Sequence, residues 1–266
     1  MWHIAAGLFG VDKVWVLFAD GTDAGKDRTV GEAFDADPAN QVSSDWSAIT
    51  GAGGNILEGT NAKLSAVLSE LGTVITPDDS FYFWAFDHGN GDEAPPAPAS
   101  MQYNAVLNGW GANDVIRDDE LAQWVLPINA KAEAYAFGQC FSGGMADDLL
   151  SGANAANRFV AWAQGNFDCS FGRGWIDAWA DAIESPAIGW GTHELGEYAK
   201  QHDPFGFGPG GTGDERPGYA GYNFHFITNE AVVPVPSTLS LVGLALIVML
   251  TTLQRRRSAV PSAGTR

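Results

Sequence analysis

Cysteine is nearly missing from this chain: two residues, Cys140 and Cys169, in 266. Two thiols close at most one bridge, which excludes a disulfide-dense secreted scaffold and an all-cysteine metal cage. Positive charge is scarce as well, with 14 Lys and Arg against 32 Asp and Glu and a formal charge of −18. A surface field of that sign repels phosphate backbones and anionic bilayers, so nucleic-acid binding is excluded. The first ten residues are apolar but lack the leading positive charge and the length of a signal peptide. Plentiful, by contrast, are glycine (33), proline (13) and tryptophan (10), in a chain that is 45% hydrophobic. Many loops follow from the first two, and one substantial core from the rest. The composition predicts an unassigned stretch over 1–10, one domain over 11–230 and a tail over 231–266.

Two apolar runs organise the domain. Residues 134–137 are apolar and reach Gly138-Gln139-Cys140, then the small residues Ser142, Gly143 and Gly144, then a helix-like stretch over 145–150. Residues 81–86 are apolar and halt at Asp87-His88-Gly89. A cysteine and a histidine therefore stand at the ends of two buried-strand candidates. In a parallel sheet such ends share one edge, where ligands and chemistry gather.

Strand and helix alternate around these runs, the pattern of an α/β fold. Residues 14–19 read as a central strand, followed by spaced aspartates over 20–27 that fit a solvated turn better than a calcium loop. Residues 31–59 are loop-like. Apolar positions 64, 67, 68 and 71 make one face of a helix that a Thr or Asn starts and Gly72 closes. Residues 90–98 form a proline-rich loop, 117–125 a second crossover helix with an acidic first turn, 158–163 another buried strand, and 175–183 a helix. From 184 to 221 glycine, proline and aromatics dominate, and 222–227 alternates like a final strand.

A thiolate is the reactive form of cysteine, so Cys140 needs a neighbour that takes its proton, and His88 is the candidate by its place at a strand end. His193 and His202 fall in the late irregular region and His225 within the apparent last strand. Asp87 reads as a turn acid. Cys169 reads as inert, or as a partner that bridges Cys140 in an oxidising compartment and holds it latent.

The blocks Asp87-His88-Gly89 and Gln139-Cys140-Phe141-Ser142-Gly143-Gly144 resemble the His-Gly and Cys-x-Ser-Gly blocks of caspase-like, clan CD cysteine peptidases, nearest the legumain (C13) type, over about residues 11–185. The resemblance implies a three-layer α/β/α sandwich with a mostly parallel sheet. It implies His88 as general base, Cys140 as nucleophile, the backbone N–H groups of Gly89 and Cys140 as oxyanion donors, and no metal or organic cofactor. Many relatives carry an acid two positions before the cysteine, where this chain has Gly138. Selectivity residues in the family follow the next strand, where Asp168 and Ser170 stand, and an acid there favours a basic substrate side chain.

The tail carries Pro234 and Pro236 within 233–238, an almost wholly apolar stretch over 239–253, and Arg255, Arg256 and Arg257 within the basic end over 254–266. With its flanking residues the apolar part approaches the roughly 20 residues that span a bilayer. The arginines would stay on the cytoplasmic side. This order of parts resembles the PEP-CTERM sorting signal of Gram-negative bacteria, with Val235 where the family has glutamate. It implies one transmembrane helix, anchoring in the inner membrane, an exosortase-type processing partner, and a final place at the cell surface or in the extracellular matrix. The expectation is an exported peptidase acting on peptide or protein substrates. The alternative is a catalytically silent surface or matrix protein that uses the same scaffold for binding.

Overall fold

The computed structural model describes residues 2–19, 21–22, 28–29, 41–42, 46–91, 104–111, 113–171, 173–185 and 191–225. Residues 1–230 form one compact unit. The tail over 231–266, with Pro234, Pro236, Arg255, Arg256, Arg257 and the expected membrane helix, lies outside the described residues, as do the aspartates of 23–27. Among the described residues no helix is long and apolar enough to cross a membrane.

The fold is mixed α/β with mostly parallel pairing. Along the chain come α1 (Trp2–Phe9), β1 (Trp15–Leu17), β2 (Arg28–Thr29), β3 (Gln41–Val42), α2 (Ser47–Thr50), β4 (Asn55–Leu57), α3 (Asn61–Val74), β5 (Ser80–Ala85), β6 (Gly89–Gly91), β7 (Ala105–Asn108) and β8 (Val115–Arg117). Then follow α4 (Asp118–Val125), β9 (Ala132–Phe137), α5 (Met145–Ser151), β10 (Arg158–Trp162), α6 (Gly174–Glu184), α7 (Thr192–His202) and β11 (Gly218–Gly221). The main sheet has the order β11-β10-β9-β5, with β5, β9 and β10 parallel and β11 antiparallel.

The period-two alternation of a strand decides what lies on each face of this sheet. From β5, β9 and β10, Phe81, Phe83, Tyr135, Phe137 and Val160 join Leu64, Leu68, Leu121 and Leu149 of the helices α3, α4 and α5. The opposite parity, Tyr82, Trp84, Phe159 and Ala161 with Ala132, Ala134 and Ala136, faces α6, α7 and the end of α1. The three alanines of β9 leave room for the large residues of α6. Trp175 and Trp179 lie there fully buried and stacked, with ring centroids 5.7 Å apart.

One ion pair is sealed inside. Arg158 Nε lies 2.7 Å from Glu133 Oε2, with the two side chains 1% and 0% exposed. The Tyr135 hydroxyl donates to the same oxygen at 2.6 Å, and the guanidinium also donates to Leu149 O and Val125 O. These last two bonds tie the C-terminal turns of α5 and α4 to the sheet. Burial pushes the Glu133 carboxyl upward against the pull of Tyr135 and Arg158.

Several expectations are corrected. Gly72 does not end the helix: α3 begins under a Thr60 cap, whose Oγ1 accepts from Lys63 N at 3.2 Å, and runs on to Val74. Gly72 is instead a contact point, since a Cβ there would sit 2.9 Å from Pro127 Cβ. The loop-like 31–59 contains α2 and β4, and β4 pairs parallel with β1. The segment after His88 does not begin as loop, because β6, β7 and β8 form a small antiparallel sheet. The irregular region after 184 contains α7, which carries His193 and His202. The last strand is β11, earlier than expected, and within 222–225 there is only an isolated bridge from Gly191 to His225.

The β1-β4 pair stands apart from the main sheet. Between it and β5 lies a cavity of about 740 Å³, lined among others by Trp15, Leu17, Leu68, Phe81 and Phe83.

Candidate active site

Strands β5 and β9 are adjacent and parallel, paired from Ser80 with Ala132 to Ala85 with Phe137. Their carboxyl ends therefore deliver Asp87-His88-Gly89 and Gly138-Gln139-Cys140 side by side. Beyond β9 the chain turns at Phe141, whose φ of 57° is left-handed and costs a non-glycine residue about 1 kcal/mol. The Phe141 N–H donates to Asp168 O at 2.8 Å. Ser142 then exchanges two bonds with Gln164 beyond β10: its Oγ accepts from the Gln164 N–H at 3.0 Å and donates to Gln164 O at 3.2 Å. Gly143 donates its N–H to the same carbonyl, and a Cβ on it would lie 2.4 Å from Asn166 Oδ1. The Ser-Gly pair after the cysteine thus has a structural cause: it welds the turn that carries Cys140 to the neighbouring strand.

Gly89 is fixed by the same crowding. A Cβ there would meet Cys140 O at 2.5 Å, Gln139 Cγ at 2.6 Å and Val106 O at 2.8 Å. Only glycine lets the two chains come this close, and the Gly89 N–H consequently reaches the Cys140 sulfur. His88 donates its N–H to Asp87 Oδ1 at 2.6 Å, and its carbonyl accepts from Asn108 N at 2.9 Å, which hands the chain on to β6. Asp87 is a turn acid here, raised by burial.

Cys140 is half-buried, and its sulfur meets four groups. The Ser170 N–H donates to it at 3.2 Å, the Gly89 N–H does the same, the thiol points toward Ser170 O at 3.9 Å, and the Cys169 thiol is in hydrogen-bonding contact. Burial, then Cys169, push the thiol up to about 11, against the two N–H groups that favour the thiolate. The described state therefore holds a protonated thiol under a cover formed by residues 168–171. Both cysteines are free thiols.

The structure brings Gly89, Ser170, Asp168 and Cys169 together around Cys140, and His88 adjoins them through Gly89. The Asp168 carbonyl anchors Phe141, and the residue itself is exposed at the rim. Gly138 lines no open space: a Cβ there would meet Phe86 Cδ2 at 2.8 Å and Ile176 Cβ at 3.4 Å. The Gly89 N–H, expected at an oxyanion, is on the sulfur in this state. Three residues of the neighbourhood escape the sequence reading, Gln164, Asp203 and Glu215. All three are buried polar side chains in irregular segments, where no periodicity announces them.

Away from this edge, Asp118, Asp147 and Asp148 bring carboxylate oxygens within 4.8 Å of one another. They are the described residues that could hold a metal ion. Both oxygens of Asp118 already accept backbone N–H groups, Oδ2 from Ala105 at 2.7 Å and Oδ1 from Asp119 at 2.8 Å. Its carboxyl is pushed up to about 6, first by burial and further by the other two aspartates.

No protein-family model matches the chain, and no curated protein matches it. Among solved structures, it is similar to a protein of Geobacter sulfurreducens with 11% sequence identity and a TM-score of 0.39, covering 67% of this chain and 76% of that one.

Proposed function

We propose that this chain is a caspase-like, legumain-type cysteine peptidase in which His88 and Cys140 form the catalytic dyad. One observation carries the reading: the His88-Gly89 and Cys140 segments leave neighbouring parallel strands together, close enough for the Gly89 N–H to touch the sulfur. In the reaction His88 accepts the Cys140 thiol proton, and the thiolate attacks the substrate carbonyl. The amine leaves with a proton returned by His88, and water then hydrolyses the thioester. The Gly89 and Cys140 N–H groups serve the developing oxyanion once the sulfur has bonded to carbon and no longer holds the Gly89 N–H. The exposed Asp168 at the rim favours a basic substrate side chain. The layered α/β architecture, with helices on both faces of the sheet, supports the caspase-like assignment. The order of parts in the tail supports sorting by an exosortase-type enzyme, with inner-membrane anchoring before release to the cell surface or matrix.

A second reading is a silent surface or matrix protein built on the same scaffold. The observation in its favour is the covered thiol, raised to about 11 with Cys169 upon it. An acyloxymethyl-ketone probe separates the two. Labelling of the purified chain that disappears in Cys140→Ala supports the peptidase; absence of labelling under reducing conditions leaves the silent scaffold.

A further inference from the structure

Gln164, two residues past the end of β10, is a buried polar side chain with every hydrogen-bonding position taken. Its Oε1 accepts the N–H groups of Gly165 at 2.7 Å and Arg216 at 2.8 Å. Its Nε2 donates to Cys169 O at 3.0 Å and Asp214 O at 3.2 Å. Two acceptor and two donor positions are all that an amide side chain has. Turning it over would set its NH2 against two N–H groups and its oxygen against two carbonyls, so one orientation alone is satisfied. Its main chain is engaged as well, since Ser142 Oγ and the Gly143 N–H bond to it from the turn that carries Cys140.

These bonds join three segments that are remote from one another in the chain. The first is the turn at Ser142 and Gly143, just past the sulfur. The second is the cover: Gln164 holds Cys169 directly, and the next residue, Ser170, gives its N–H to the sulfur at 3.2 Å. The third is 214–216, which Gln164 grips on both sides of Glu215. Glu215 Oε1 in turn accepts from Ser170 Oγ at 2.7 Å and from the Phe171 N–H. The cover is therefore held at Cys169 by Gln164 itself, and at Ser170 and Phe171 through a residue that Gln164 fixes in place.

We propose that Gln164 is a positioning residue for the Cys140 thiol: its side-chain amide sets the distance between the turn that carries the sulfur and the segment 169–171 that covers it. Removing the amide leaves two carbonyls without a donor and two N–H groups without an acceptor, and these recover partners by opening to water. Opening relieves the burial of the sulfur and its contact with Cys169, the two main causes of the raised thiol, so Cys140 reacts faster. The inference concerns thiol chemistry; only its meaning for catalysis rests on the reading of Cys140 as nucleophile.

The test is site-resolved alkylation by iodoacetamide in the full reduced chain, read by peptide mass spectrometry as a pH profile for Cys140, with the already exposed Cys169 as internal control. Gln164→Met keeps the length of the side chain and removes all four bonds without adding charge. Gln164→Glu keeps the two acceptor bonds and turns the donor into an oxygen that faces two carbonyls. In both, the Cys140 profile is expected to move to lower pH while that of Cys169 stays in place. Roughly tenfold more thiolate, offset by the lower nucleophilicity of a more acidic thiol, makes Cys140 about threefold faster at about pH 8. A residue that only stabilised the fold would leave the Cys140 profile where it was, or quicken both thiols together. Hydrogen exchange in the unaltered chain gives a check that needs no variant. The Ser170, Phe171 and Arg216 amides are expected to share one protection factor to within about threefold, because they open as a single unit. A Cys140 profile unmoved in Gln164→Met, or Arg216 protected more than about tenfold beyond Ser170, overturns the proposal. Peptide hydrolysis by the same samples keeps the two readings apart: a shifted profile with no Cys140-dependent hydrolysis leaves the role of Gln164 standing and removes the peptidase.

Discussion

The Ser170 backbone N–H lies 3.2 Å from the Cys140 sulfur, so a residue thirty positions later in the chain directly sets the electrostatics of that thiol. The bond favours the thiolate, but the burial it enforces and the adjoining Cys169 favour the thiol more strongly. The reactivity of the thiol depends on that balance.

Loss of the dyad is the plainest expectation. Cys140→Ala abolishes probe labelling and hydrolysis. His88→Ala keeps the thiol but removes the proton acceptor, lowering kcat about 10²- to 10⁴-fold, as measured in single-turnover assays with a peptide substrate. Equal turnover of His88→Ala and the unaltered chain sinks the assignment.

Oxidation by a small disulfide such as oxidised glutathione is expected to bridge Cys140 and Cys169. Each thiol gives up one proton and one electron, the sulfurs join, and the oxidant leaves as two thiols. Intact mass falls by about 2 Da, the mass of the two hydrogens lost on disulfide formation, and probe labelling stops until reductant is added. Cys169→Ser cannot close the bridge, so its mass shows no such fall. An unchanged intact mass after prolonged exposure would refute the bridge.

Gly89→Ala forces a methyl group into a space 2.5 Å from Cys140 O. The two strand ends must part, and catalysis falls by about 10²-fold or more because the reacting groups are displaced by about 1 Å. Circular dichroism of the folded variant and its kcat/KM report this, and a variant as active as its parent contradicts the close approach.

Arg158→Met leaves Glu133 buried and uncompensated, at a cost of about 3–5 kcal/mol. Replacing Glu133 by Leu as well recovers most of that loss, because no charge is then stranded. Urea unfolding of the two variants measures it, and equal midpoints for the single and double substitutions count against a sealed pair.

Asp118 gives the fold a pH slope. Its folded carboxyl is pushed up to about 6, above the roughly 3.9 of an unfolded aspartate. Between those values the folded chain binds a proton that the unfolded chain does not, so this stability is present below about pH 4 and lost as pH rises to about 6. It amounts to about 2–3 kcal/mol. Asp118→Asn flattens the slope; a parallel pH dependence in both proteins, followed by chemical unfolding, would argue against it.

Much of the framework is legible in the sequence because burial leaves a pattern. The apolar run 134–137 of β9 and the glycine punctuation after it mark both the strand and the turn that carries Cys140, and Leu64, Val67, Leu68 and Leu71 mark α3 at helical spacing. α7 stays hidden because it offers the core little more than Leu195 and Ala199, within glycine- and proline-rich flanks. β6 and β8 have three residues each, too few for alternation to register. Glu215 is illegible for another reason: what makes it matter is a contact with Ser170, and nothing local encodes that meeting.

The hollow between the β1-β4 ladder and β5 has a dynamic consequence. Without shared backbone bonds to the rest of the sheet, that outer ladder can open as a unit of its own. Its amides should trade hydrogen for deuterium well before those of β9 and β10, leaving the strand that leads to Cys140 among the last parts of the domain to melt.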